Sequence, residues 1–522
     1  MSFLSWQYPF FLLAAVLIYW RLPHRGRTFL LLAASYVFYG AWDARFLALI
    51  LTTTVMDYFA ALAIGGHRSA WWKVAAVAAL PLAWLASCRL LGRVMPPAAF
   101  GAAALFIPFL GISHALIQRR VGEAHRPKAF LLLSVGTNLV ILGFFKYFNF
   151  FSDSAVTFLS ALGLQPHEFT LRILLPIGIS FYTFQSISYV ADVYRGLRAP
   201  RRSFPTFAAY LAFFPQLLAG PIGRSPQLMP QWETPRAFSP ATIHEGARLI
   251  LVGLFKKIFV ADNCALLANF CFLPGSKLNA AWSVLGVLAF AFQIYGDFSG
   301  YTDIARGSAK LFGFDLMVNF RFPYTALTPS DFWRRWHISL SSWFRDYVYI
   351  PLGGNRVGRG RLLFNLMATM LLAGLWHGAG WMYVLWGAYL GALLIVYRLI
   401  PPLAALDKAT SWWKRCVAAW AMFFFTLIGW AIFRAPDAQG LVAWANGFTH
   451  WTMGDVDWVK PALWLALHVA PLLLLQALTW KQQDESDLTR FPWAVRGVIY
   501  FALLLLVVSS SSQDQEFLYF QF

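Results

Sequence analysis

The sequence predicts an all-α polytopic membrane protein, and three observations carry that prediction. Hydrophobic residues make up 59% of the 522-residue chain and charged residues only 12%, which is too little polar surface for a water-soluble globule of this size. Mean hydropathy is +0.57, and apolar runs long enough to span a bilayer recur from Phe3 to Val508 without an extended polar linker. Lys and Arg, which give a formal net charge of +19, gather in alternate loops, the bias that marks cytoplasmic turns. No basic run with interleaved aromatics stands on a soluble segment, so nucleic acid is not an expected partner and membrane lipid is. The expected organisation is one membrane-embedded domain over residues 1–522.

The first run, Phe3 to Trp20, has no basic residue ahead of it and no small-residue cleavage site, and Arg21, Arg25 and Arg27 follow it. It reads as a retained anchor with its N-terminus outside. Thr28–Tyr39 and Phe46–Gly65 then form an apolar hairpin turning at Trp42-Asp43, and Trp72–Ser87 with Ala98–Ile117 forms a second, within residues 70–118. Leu131–Phe151 crosses outward and Leu171–Tyr189 returns to the arginines that follow Tyr194. Thr206 to Arg224 is different, because Pro215, Gly220, Pro221 and Gly223 interrupt an apolar stretch. Such backbone is tolerated in a membrane only against protein or a water-filled cavity, so the segment is either re-entrant or a kinked span. His244–Asp262, with Lys256-Lys257, reads as an amphipathic run at the interface. Trp282–Ile294 spans and leads to Asp297 and Asp303, whose intramembrane carboxylates are either hydrogen-bonded scaffold or a proton path.

Residues 331–381 are the stretch around which the chain is organised. Trp333, Trp336, Leu340, Phe344 and Tyr347 recur at helical spacing opposite Arg334, Arg335, Ser341 and Arg345. That pattern predicts an amphipathic helix lying in the interface plane, with His337 at the boundary. Gly353, Gly354 and Gly358 break the chain amid Arg356, Arg359 and Arg361. An uncharged run then leads from Leu362 through Trp376 to His377, where Gly378 and Gly380 end the helix. Beyond it, Trp381–Tyr397, Val417–Phe433, Pro461–Trp480 and Gly497–Val508 are further apolar segments, Lys481–Arg496 is a polar loop, and the chain closes on EFLYFQF. Ten to twelve membrane segments are expected.

The chemistry points to His377. Leu362 to His377 covers about 22 Å of helix at ~1.5 Å per residue, so against a hydrocarbon core of about 30 Å the histidine lies past the midpoint if Arg361 marks the edge. An ionisable side chain there normally faces a protein interior or a water-filled path. Imidazole suits acyl transfer either as a general base, taking a hydroxyl proton and returning it within one turnover, or as a covalent nucleophile. No G-x-S-x-G elbow, phosphate-binding glycine loop or H-E-x-x-H motif occurs. The four cysteines, Cys88, Cys264, Cys271 and Cys416, stand singly in apolar surroundings, so no metal site is expected.

DFWRRWHISLSSWFRDYVYIPLGGNR with GLWHGAG resembles the signature of the membrane-bound O-acyltransferase family, in its branch of bacterial alginate O-acetyltransferases. LPIGISFYTFQSISYVADVYRG, FFPQLLAGPIGR, YGDFSGYTDIARG and GWAIFRA are similar to that branch in its order. The resemblance implies a helical ring with interfacial and re-entrant helices around a central tunnel, lined here by Pro215, Pro221, Trp376 and Gly378. Residues 70–118 look like an added transmembrane hairpin, and 331–381 like the catalytic core with His377 and His337. It further implies a multi-pass protein of the bacterial inner membrane with no permanently bound cofactor. The donor substrate would be cytoplasmic acetyl-CoA, its phosphates met by Arg334, Arg335, Arg345 and Arg356. The acetyl group would pass through the membrane, by way of an extracytoplasmic O-acetyltransferase partner, to an exported polysaccharide of the alginate, cellulose or peptidoglycan type. Two other readings stay open: a D-alanyl transferase for teichoic acids, and a proton-coupled transporter resting on Asp297 and Asp303.

Overall fold

A computed structural model of the chain describes residues 2–164, 172–218, 220–273, 279–449, 457–510 and 517–518, and among them all repetitive structure is helical. Eight helical stretches are long and apolar enough to cross a membrane, among them His24–Ile64, Arg126–Ala161, Ala280–Leu311 and Trp412–Arg434. Other apolar runs of the sequence fold as shorter helices, such as Ile179–Tyr194 and Trp493–Ser509. The chain forms two compact units, one of residues 1–243 with 308–316, the other of residues 244–307 with 317–522.

In the first unit, helices α1 (Leu47–Ile64), α2 (Arg126–Leu142) and α3 (Ile179–Tyr194) pack on one another. Their shared polar point is Asp57, fully buried, whose carboxylate accepts from Ser134 Oγ at 2.5 Å, from Asn138 Nδ2 at 3.0 Å and from Ser186. A carboxylate this deep is tolerable only with such donors around it. Of the run expected over Leu171–Tyr189, Leu171 lies outside the described residues and the rest is helical only from Ile179. Gly178 precedes it at φ +76, where an added Cβ would lie 2.6 Å from the Leu217 carbonyl oxygen. The 70–118 segment folds as Trp71–Ala78, Leu80–Leu90 and Pro97–Arg120, and buries Val74, Ala78, Phe106 and Leu110 against Val55, Met56 and Phe59 of α1. Within Thr206–Arg224 the helix Phe204–Ala212 stops at Phe213, and Pro215 sits in the first turn of the short helix Phe214–Leu217, where its missing N–H leaves no bond unmade. Pro215 and Pro221 are both buried in this unit.

The second unit is built on α4 (Pro240–Leu254), from His244, with the π-helical turn Phe255–Ala261, and on α5 (Ala280–Leu311), up to Gly307. The helices meet backbone to backbone: a Cβ on Gly253 would lie 2.6 Å from the Gly300 carbonyl oxygen. Lys256 and Lys257, in the run that the sequence reading took as amphipathic, are both buried within the protein, where each meets two carboxylates. Lys256 Nζ is 2.8 Å from both Asp303 and Glu485 and 2.9 Å from Ser299 Oγ, and Lys257 Nζ is 2.8 Å from Asp262 and 2.5 Å from Asp297. Glu485, in the loop read as a polar connector, also accepts from the Tyr295 hydroxyl and from Gln476 Nε2 at 3.2 Å. Arg306 joins Asp303 to Asp484. Of the closing EFLYFQF only Phe517 and Leu518 are described; the Leu518 amide donates to Asp297 at 2.7 Å and the Phe517 ring lies 3.9 Å from that of Tyr301. The rest of that segment lies outside the described residues.

The remaining elements of this unit carry the site: α6 (Pro329–Arg335), α7 (Ile338–Phe344) with the π-helical turn Arg345–Tyr349, α8 (Arg359–His377), α9 (Trp381–Leu399), α10 (Trp412–Arg434) and α11 (Val459–Thr479). The α8–α9 pair is an antiparallel hairpin whose backbones touch through small residues. A Cβ on Gly387 would lie 2.5 Å from the Met370 carbonyl oxygen, and one on Gly374 would strike that of Tyr383.

Candidate active site

The uninterrupted interface helix expected over 331–347 is not formed, and its break makes the site. α6 stops at Arg335 and Trp336 turns extended. His337 then adopts φ +40 and ψ +56, one of three non-glycine residues with positive φ among those described. A left-handed conformation costs a residue with a Cβ about 1–2 kcal/mol, so it persists only where surrounding contacts fix it. Trp336 supplies part of that fixation: it is fully buried, with ring centroids 5.0 Å from Phe320, 5.6 Å from Phe332 and 4.9 Å from Trp430.

The turn directs His337 inward. Its imidazole is fully buried, perpendicular to Phe298 at 4.4 Å between ring centroids and 6.4 Å from the ring of His377. The sequence reading spread the two histidines between the membrane boundary and its interior; here both are buried in the protein side by side. His377, at the end of α8, is 3% exposed and packed between Trp376 and Trp386, each at 5.0 Å, and Phe433 at 5.6 Å. Gly378 is needed beside it, since a Cβ there would enter the Tyr383 ring.

A cavity of about 510 Å³ reaches His377. Its lining combines buried Leu340, Phe344, Met370, Ala373 and His377 and half-buried Ile338 with exposed Arg321, Arg334 and Arg345, which mark its mouth. Of the arginines singled out in the sequence, Arg334 and Arg345 line it. Arg335 does not and pairs with Asp331 at 2.9 Å, and Arg356 is exposed on the glycine-rich turn outside the lining. Arg334 is bound to Asp407 at 2.7 Å, and Arg345 to Asp346 at 2.7 Å. Partial burial works against the Arg334 charge, but the carboxylates of Asp407 and Asp331 outweigh it and raise its pKa. Arg321, which the sequence reading passed over, is exposed at the same mouth with no carboxylate in ion-pair reach among the described residues. Its sequence signal was weak: it stands in a short segment, NFRFPY, without periodicity. Trp376 and Gly378 flank His377, whereas Pro215 and Pro221 belong to the first unit. No group of three metal-ligating side chains occurs among the described residues.

The sequence model of the membrane-bound O-acyltransferase family matches residues 138–434. The protein described as "probable alginate O-acetylase AlgI" of Azotobacter vinelandii is 38% identical over 463 residues, 88% of this chain and 79% of that protein. The peptidoglycan O-acetyltransferase of Helicobacter pylori is 32% identical over 447 residues, covering 80% of this chain and 72% of its own. The teichoic acid D-alanyltransferase of Bacillus subtilis is 26% identical over 288 residues, 52% of this chain and 71% of its own. Asp331, Trp336, His337, His377 and all the residues lining the cavity fall inside the matched region.

Proposed function

Because the chain belongs to the membrane-bound O-acyltransferase family, we propose that it transfers acetyl groups from cytoplasmic acetyl-CoA for O-acetylation of an exported polysaccharide of the alginate, cellulose or peptidoglycan type, completed by an extracytoplasmic partner. The observation that carries the reading is one cavity joining a cationic mouth to His377. The Arg334–Asp407 pair brings beside that mouth the loop that also carries Lys408, with Lys414 and Arg415 just beyond it. That accumulation of positive charge favours a cytoplasmic mouth and a multi-pass protein of the inner membrane.

In this reading the donor's phosphates meet Arg321, which has no carboxylate in ion-pair reach among the described residues, with Arg334 and Arg345 beside it. The pantetheine arm runs along Ile338, Leu340 and Phe344 to place the thioester carbon by His377. His377 takes the proton of the acceptor hydroxyl as its oxygen attacks; the new C–O ester bond forms, the C–S bond breaks, and the proton is returned to the departing sulfur. His337 does not itself line the cavity; we give it the role of second histidine beside His377, its ring centroid 6.4 Å away, too far for a direct hydrogen bond and near enough for one bridging group. Trp376, Trp386 and Phe433 exclude water, which would otherwise hydrolyse the thioester.

The test is donor labelling in proteoliposomes with acetyl-CoA and, separately, with an aminoacylated carrier protein. Acetyl transfer from the former supports the reading; transfer only from the latter moves the chain to the D-alanyl branch. Arg321→Ala is expected to raise the donor KM about tenfold with kcat held within about twofold, as for loss of one charge-assisted phosphate contact worth roughly 1.5–3 kcal/mol. The effect should shrink in high salt. An unchanged KM would remove Arg321 from the donor site.

A further inference from the structure

The left-handed turn at His337 leaves a question of how the start of α7 is held. His337 is the N-cap residue of that helix, and its side chain makes no capping hydrogen bond. A helix start ordinarily takes its acceptor from the N-cap side chain. Here the acceptor comes from a residue distant in sequence. Asn319 is fully buried; its Oδ1 accepts from the Ser339 amide at 3.1 Å, and its main-chain carbonyl accepts from the Ile338 amide at 3.0 Å. Its Nδ2 faces Thr302 Oγ1 at 3.4 Å, on α5, one turn beyond the Phe298 that packs on His337. Two residues on, the Arg321 amide donates to the Arg335 carbonyl at 3.0 Å. The segment 319–321 thus runs alongside 335–339 and grips the chain on both sides of His337, while Phe320 wedges against Trp336 at 5.0 Å.

We propose that Asn319 is a positioning residue for the transfer reaction: it caps α7 in place of His337 and so frees the imidazole to point at His377 in a backbone conformation it would not hold alone. The proposal rests on the role given above to His337. A residue with an ordinary cap would have to spend its own side chain on the Ser339 amide and could not also face the reaction. Without the clamp, the backbone at 337 relaxes toward negative φ and carries the ring away, and displacement of a reacting group by about 1 Å can cost on the order of a hundredfold in rate.

The experiment is a double-mutant cycle on the full-length protein in proteoliposomes, with acetyl-CoA as donor. Asn319→Ala is expected to lower kcat by ten- to a hundredfold with the donor KM within about twofold, whereas Asn319→Asp, which keeps an acceptor for the Ser339 amide, is expected to recover most of the loss. In a His337→Ala background the same Asn319→Ala change should cost less than about twofold, because the group being positioned is gone. An equal loss in both backgrounds would overturn the proposal, since Asn319 would then act through general folding. Wild-type kcat in Asn319→Ala would overturn it too. Wild-type turnover in His337→Ala alone would instead overturn the role of His337 itself, an outcome separate from either of those.

Discussion

Replacing His377 with glutamine is expected to abolish acetyl transfer while leaving the protein folded and membrane-inserted. Glutamine keeps a polar group of similar reach between Trp376, Trp386 and Phe433, so the packing change is modest, about 1–2 kcal/mol at most. What it cannot do is accept a hydroxyl proton near neutral pH. Loss of general base catalysis is worth roughly 10²–10⁴-fold in rate. Polymer-bound or partner-bound acetyl in membranes carrying His377→Gln should fall to background, with donor binding still measurable by competition. Transfer at more than about a tenth of the wild-type rate would sink the assignment of His377.

The helical, membrane-embedded character was legible because it depends on composition and run length, both one-dimensional quantities. His377 was legible for a related reason: an uncharged run that ends on an ionisable residue and then on glycines has few explanations in a bilayer. His337 was legible as a candidate but not in place. Its helical periodicity continues through Trp336 into Leu340 and Phe344, and nothing local announces that the chain breaks there. The break is imposed by Asn319, a residue of another segment, and by the Trp336 ring being drawn into the core. Arg334 and Arg335 show the same limit. They are adjacent in sequence, yet only the first lines the cavity, because α6 aims the second at Asp331. The lysine pair of 256 and 257 read as an interface feature because its partners, Asp297, Asp303 and Glu485, are spread along the chain. Only the fold brings them together.

Those partners set the second large expected effect. Lys256 is 1% exposed and Glu485 3% exposed, so each holds the other's charge in surroundings that neither could occupy alone. Lys256 also neutralises Asp303, and Glu485 further accepts from the Phe322 amide at 3.3 Å, tying the loop that leads from Asn319 toward α6 to the C-terminal end of the unit. Truncating either member strands a buried charge, which costs about 3–5 kcal/mol, a large share of the ~5–15 kcal/mol that holds a typical domain together. Lys256→Ala is therefore expected to leave little folded protein in the membrane, and Glu485→Ala likewise. The discriminating case is the double replacement Lys256→Met with Glu485→Gln. It removes both charges while keeping an acceptor for the Tyr295 hydroxyl, and Arg306 remains between Asp303 and Asp484. Thermal unfolding in detergent should place the double variant above either truncation, with transfer activity partly restored. An ion-pair scaffold predicts that activity returns with stability. A double variant no more stable than the single truncations would show that the network does not act through charge balance.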